Sequence, residues 1–109
     1  MLKAQEKVVG FPYEGYCQDL GRPKDYEQAI QDFDRVIELV PEDAEAYNDR
    51  GVAYDKLNNL EQAIRDYTKA VELDASYTKA YNNRGVCYAK LGDLEQAIRD
   101  YTKAIELDL

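Results

Sequence analysis

At 109 residues the chain is long enough for one continuous core but not for two ordinary globular domains, so one unit is expected. Its 45% hydrophobic and 33% charged residues are those of a soluble globular protein, and no apolar run approaches the ~18 residues of a membrane span. A net charge of -8 argues against nucleic acid, because neutralising phosphates requires a field of Lys and Arg.

The N-terminal stretch MLKAQEKVVGFPYEGYCQDL has scattered charges and no apolar centre, so it does not read as a secretory signal; a cytoplasmic location is the default expectation. MLKAQEKVV suits a short helix of its own, whereas Gly10, Pro12, Gly15, Gly21 and Pro23 interrupt the next part of the chain. Acidity is concentrated here: residues 1–43 carry 10 acidic and 5 basic side chains, residues 44–77 carry 7 and 4, and residues 78–109 carry 5 and 5. A solvated face explains such charge most simply, and attraction of a basic partner is the functional alternative.

A repeat organises the remainder. LEQAIRDYTKA occurs at Leu60–Ala70 and again, unchanged, at Leu94–Ala104, 34 positions on. Ala44–Asp74 and Thr78–Asp108 differ at 8 of 31 positions, and DYEQAIQDFDRVIEL at Asp25–Leu39 keeps Glu27, Gln28, Ala29, Ile30 and Asp32 in the same slots. The chain thus divides into three units: a degenerate first (1–43), a second (44–77) and a third (78–109). A fixed period in this range marks an array whose units bury their apolar faces against one another.

Each unit reads as two helices. In the second unit Ala46, Tyr47, Ala53, Tyr54 and Leu57 recur at helical spacing, then Leu60, Ala63, Ile64, Tyr67, Ala70 and Val71 do so. Asp25, Asn59 and Asp93 are candidate N-caps, each with a glutamine three residues on (Gln28, Gln62, Gln96) to reach back. Asn58 and Gly92 suit the left-handed residue that ends a first helix, and Pro41 stops the second helix of unit one. No alternating β-branched run competes. The expected fold is all-α, an α-solenoid of helix-turn-helix repeats.

Catalysis has little to work with. There is no histidine, the commonest general base and transition-metal ligand. Cys17 and Cys87 lack catalytic partners and are expected as small apolar side chains, and no glycine-rich phosphate loop occurs. Asp55, Asn59 and Glu61 have calcium-loop spacing, but Leu57 takes a ligand slot and the glycine is absent. No enzyme, metal or cofactor is expected.

The period of 34 and the pattern of Tyr47, Gly51, Tyr54, Ala63, Tyr67 and Ala70, repeated as Tyr81, Gly85, Tyr88, Ala97, Tyr101 and Ala104, resemble the tetratricopeptide repeat. In unit one only Tyr13, Ala29, Phe33 and Pro41 match. The expected packing sets Gly51 and Gly85 against Ala63 and Ala97 so that helix axes approach closely. The chain departs from the family where Arg50 and Arg84 replace a leucine and Tyr47 and Tyr81 a tryptophan. Each arginine is expected to lay its stem on the aromatic cluster and pair with Asp66 or Asp100 on the second helix.

The resemblance implies that first helices line a concave surface for a peptide or partner segment. By position its residues are Glu45, Asn48, Asp49, Val52 and Asp55, with Lys56 beside them, then Lys79, Asn82, Asn83 and Val86, with Ala89 and Lys90 beside them. Asparagine amides offer donor and acceptor to an extended backbone. Members that grip acidic chaperone tails use a basic and amide clamp, which falls here on Glu14, Gln18, Asp49, Lys79 and Asn83. Only Lys79 keeps the basic type, so a neutral or basic protein segment is expected instead. An alternative is self-assembly into a homo-oligomer. Solenoid ends need polar faces, and Tyr101, Ile105 and Leu107 are expected to face an absent neighbour, unless the chain is a piece of a longer array.

Overall fold

The computed structural model describes residues 23–108. The expectations placed on Tyr13, Glu14, Cys17, Gln18 and the MLKAQEKVV segment lie outside the described residues. Among the described residues five helices run in order: α1 (Pro23–Leu39), α2 (Ala44–Lys56), α3 (Leu60–Leu73), α4 (Thr78–Lys90) and α5 (Leu94–Leu107). α2 packs along α3 and α4 along α5 as hairpins, α1 packs on α2, and α3 on α4. The expected all-α repeat array is the architecture observed.

Helix ends obey local chemistry, with three departures from expectation. α1 begins at Pro23, whose ring fixes a helical φ and needs no amide partner, so Asp25 lies in the first turn rather than at the cap. Asp93 caps α5, accepting from the Gln96 amide at 3.3 Å, but Asn59 makes no side-chain cap. The glutamines do not reach back: Gln28 donates to Asp32 and Gln62 accepts from Arg65, in each case along the helix surface. An additional cap is Asp43, which accepts from the Ala46 amide at the start of α2.

The hairpin turns do use left-handed residues. Asn58 has φ 64° and Gly92 φ 86°. Nothing lies within 4 Å of a Cβ built on Gly92, so Gly92→Ala meets only backbone strain and is expected to cost about 1 kcal/mol. Asn58→Gly, at the matching turn, is expected to gain a few tenths of a kcal/mol. Urea unfolding of the two variants checks both signs.

Two buried clusters join the repeats. Ala63, Tyr67 and Cys87 are flanked by Val52, Tyr54, Leu60 and Ile64. Ala70, Val71 and Ala80 are flanked by Ala44, Tyr47, Tyr77 and Tyr81. Small residues dominate because helix axes come close. The glycines oppose a different partner from the one expected: a Cβ on Gly51 would sit 2.6 Å from Tyr67 Cε1, and one on Gly85 2.9 Å from Tyr101 Cε1, with the Ala97 carbonyl third at 3.3 Å. The aromatic ring, rather than the alanine, fills the room each glycine leaves.

Burial pushes the Cys87 thiol from its ordinary 9.0 up to about 12, with the Asp55 carboxylate adding to the effect. Burial likewise raises the Tyr67 hydroxyl. Folded pKa values above the unfolded ones mean stability that is complete below pH ~9 and declines as pH rises through the folded values. Unfolding followed from pH 8 to 11 is expected to show this loss, and Cys87→Ala, which copies Ala53 of the preceding unit, to remove the part that begins near pH 9. In the native state at neutral pH the thiol stays protonated and buried.

Candidate interaction surface

The residues predicted for the concave face lie on α2 and α4, where the structure sorts them into two groups. The first group is engaged within the protein. Asn48 is 1% exposed, and its Oδ1 accepts from Asn83 Nδ2 at 3.1 Å. Asp55 accepts from Lys90 Nζ at 2.9 Å. Both links join α2 to α4 across 35 positions, tying successive first helices where the residue pattern suggested free polar groups. The Asn48 amide grips the neighbouring repeat.

The second group stays accessible. Glu45, Lys79 and Asn82 are exposed, and Asp49, Val52 and Val86 are half-buried. Asp49 and Val52 border one cavity and Lys79 and Asn82 another, at opposite ends of the described array, whereas Glu45 and Val86 border neither. The first, of ≈ 270 Å³, is lined by Tyr26, Ala29 and Phe33 of α1 with Asp49, Val52 and Ala53 of α2. The other, of ≈ 640 Å³, is lined by Thr78, Lys79 and Asn82 of α4 with Tyr101, Ala104, Ile105 and Asp108 at α5. Of the three terminal-face residues predicted, Tyr101 and Ile105 border this groove and Leu107, half-buried, does not.

Two carboxylates of α2 act on Tyr77, which lies between these ends. The Tyr77 hydroxyl is raised above its usual range, first by burial and then by the carboxylates of Asp49 and Glu45, while a hydrogen bond with Asn48 opposes them. Lys90 is neutralised by Asp55.

The arginines behave as anticipated and do more. Arg50 donates from Nε and one terminal nitrogen to both oxygens of Asp66, at 2.8 and 2.7 Å, and from the other to Asp34 at 2.7 Å. Arg84 repeats the fork on Asp100 at 2.8 Å twice and donates to Thr68 Oγ1 at 3.2 Å. Each guanidinium lies over the tyrosine three residues earlier, 5.5 Å from the Tyr47 ring and 5.6 Å from the Tyr81 ring. The partners that sequence reasoning missed, Asp34 and Thr68, sit 16 residues before each arginine as Asp66 and Asp100 sit 16 after, so the repeat itself carried the signal. Tyr67 is wholly buried, and its hydroxyl finds no hydrogen-bond partner among the described residues; Phe33 fills the same slot in unit one without one.

Family models described as tetratricopeptide repeat match residues 44–77 and 78–108, and one described as TPR repeat matches 24–58. The chain belongs to the tetratricopeptide repeat family. Among solved structures with this repeat fold, the second TPR of Spaghetti (RPAP3), bound to the HSP90 peptide SRMEEVD, is 35% identical with TM-score 0.74, covering 82% of this chain and 86% of its own. MamA residues 41 to the end from Desulfovibrio magneticus RS-1 is 34% identical with TM-score 0.74, covering 78% of this chain and 48% of its own. The TPR domain of Arabidopsis OM64 is 31% identical with TM-score 0.74, covering 77% and 69%. The chain spans about half the length of the MamA chains it matches. No curated protein sequence matches. Membership accounts for the tight glycine positions and the two-helix unit. Among the described residues no helix is long and apolar enough to cross a membrane.

Proposed function

We propose that this tetratricopeptide array is a non-catalytic interaction scaffold that holds a neutral or basic peptide segment along α2 and α4. Glu45, Asp49, Val52, Lys79, Asn82 and Val86 form the contact surface. The observation that carries the reading is the division of labour on the first helices. Asn48, Asn83, Asp55 and Lys90 are consumed in joining the repeats, which leaves Glu45 exposed and Asp49 held only by a long 3.5 Å bond from Asn48 Nδ2, both carboxylates acting on Tyr77.

The RPAP3 peptide SRMEEVD is acidic, and this chain meets it with a different surface. Asp49 stands where the resemblance implies a neutral amide, and Asn83 is held by Asn48. We expect no saturable binding of SRMEEVD by fluorescence anisotropy and saturable binding of a charge-reversed SRMKKVK. Asp49→Lys should weaken the basic peptide by about fivefold or more, since one close charge pair becomes a repulsion. Preference for SRMEEVD would overturn the charge assignment, and indifference of both peptides to Asp49→Lys and Asn82→Asp would overturn the surface.

Self-assembly through Tyr101 and Ile105 is the second reading, with Leu107 behind them. It draws support from Ile105, 63% exposed beside the larger groove. Molar mass by light scattering over a hundredfold concentration range tests it: a dimer lost in Ile105→Asp supports it, and a monomer throughout removes it.

A further inference from the structure

The tie between Asp55 and Lys90 is held unequally at its two ends. Arg50 and Arg84 each set two nitrogens on one carboxylate. Lys90 makes a single bond, from Nζ to Asp55 Oδ1 at 2.9 Å, and 49% of its side chain is exposed against 15% for Asp55. The anion is fixed in the seam between α2 and α4, where its charge also acts on the buried Cys87 thiol, while the cation stands at the end of a flexible, solvated stem. A pair open to water on one side contributes little, so another cation can take the place of Lys90 at small cost.

Stacking of the units does not demand this carboxylate. Ala89 takes the slot of Asp55 one unit later, and Gly21 takes it one unit earlier, where Lys56 stands in the slot of Lys90. Asp49 likewise becomes Asn83, whereas Val52 is kept as Val86. Asp49, Val52 and Asp55 follow at three-residue steps along one ridge of α2, which sets the two aspartates about 9 Å apart along the helix axis. Three residues of an extended, polyproline-like segment also span about 9 Å and bring the side chain back to the same side. Long basic stems cover the sideways offset of the ridge, and half-buried Val52 lies between the two carboxylates.

We infer that Lys90 is an internal competitor at the binding surface: the bound segment carries two lysine or arginine side chains three residues apart, one on Asp49 and one that displaces Lys90 from Asp55. The inference deepens the basic-segment reading above and rests on it. It adds Asp55 to the contact surface and makes Lys90 the group that a partner must outcompete, so a segment with a single cation gains only the Asp49 contact.

The probes are the labelled peptides SPKAPKPS, whose prolines favour the extended form, and SPKAPQPS, which lacks the second cation. Lys90→Met keeps the stem and opens Asp55, and by fluorescence anisotropy with the 109-residue protein it is expected to tighten SPKAPKPS about fivefold. SPKAPQPS should gain no more than about twofold, because its one cation merely chooses between two carboxylates. Lys56→Met removes the same charge from the matching slot without freeing a carboxylate, and should leave both affinities unchanged. Asp55→Asn should cancel the gain of Lys90→Met, and circular dichroism checks that each variant keeps its helices. Four results overturn the inference while the basic-segment reading stands, provided Asp49→Lys weakens both peptides: equal gains from Lys90→Met and Lys56→Met, equal gains for the two peptides, a gain that survives Asp55→Asn, or weaker binding in Lys90→Met. If neither peptide binds the parent or the Lys90→Met protein, or if both ignore Asp49→Lys, the reading falls and the inference with it.

Discussion

Replacing Arg50 by leucine is expected to destabilise the protein by about 2–4 kcal/mol, read as a lower urea midpoint. The family resemblance makes leucine the ordinary residue at this slot, so on resemblance alone the change would count as harmless. The structure argues otherwise. Asp66 is 5% exposed, and both its oxygens are bonded to Arg50. Truncating the arginine strands a buried carboxylate and also releases Asp34, so α1 and α3 lose their common anchor on α2. Solvent reaches part of the arginine, 20% of whose side chain is exposed, which holds the cost below that of a fully buried pair. Arg50→Leu combined with Asp66→Leu should recover most of the loss, because both charges are then gone and apolar groups fill their place. Arg84→Leu should cost less, since its third bond goes to a hydroxyl rather than a carboxylate. An Arg50→Leu protein with an unchanged midpoint and lost peptide binding would move Arg50 from the fold to the binding surface.

The same arginines show how far the sequence could be read. The period was legible from the self-similarity of the chain, and the helix pairs, the left-handed turns at Asn58 and Gly92 and the Arg50–Asp66 pair were legible because each depends on spacing within one unit. Contacts between units were harder. By its position in the family resemblance Asn48 is expected on the concave face, and only packing against α4 shows that its oxygen meets Asn83. Asp55 and Lys90 read as separate surface charges for the same reason. The capping glutamines failed differently: a pattern of residue types permits a reach back to the cap, but Asp32 and Arg65 offer charged partners along the helix, and the side chains take those. A sequence repeat records what every unit shares. The polar groups left exposed are those that remain after neighbouring units have taken their partners, and that subtraction depends on how the units pack.

Gly51→Ala and Gly85→Ala are the same substitution at equivalent slots, yet they should differ. Each gains about 1 kcal/mol of helix propensity from the added methyl. At Gly51 the new Cβ would stand 2.6, 2.8 and 3.1 Å from three atoms of the Tyr67 ring. That ring is 0% exposed and clustered with Ala63 and Cys87, so it has no free volume to enter, and either the ring or the α2–α3 spacing must yield. A net loss of about 1–3 kcal/mol is expected for Gly51→Ala. At Gly85 the opposing ring is that of Tyr101, half-buried at the edge of the open groove, and it can swing outward. Only the Ala97 carbonyl, at 3.3 Å, resists, and that contact is eased by a few tenths of an ångström. Gly85→Ala is therefore expected within about 1 kcal/mol of the parent. Tyr67→Leu separates the causes: if the ring is the obstacle, it should cost less in the Gly51→Ala background than in the parent, the mark of two groups competing for one space. Equal losses at Gly51 and Gly85 would instead assign the effect to the helix backbone that both share.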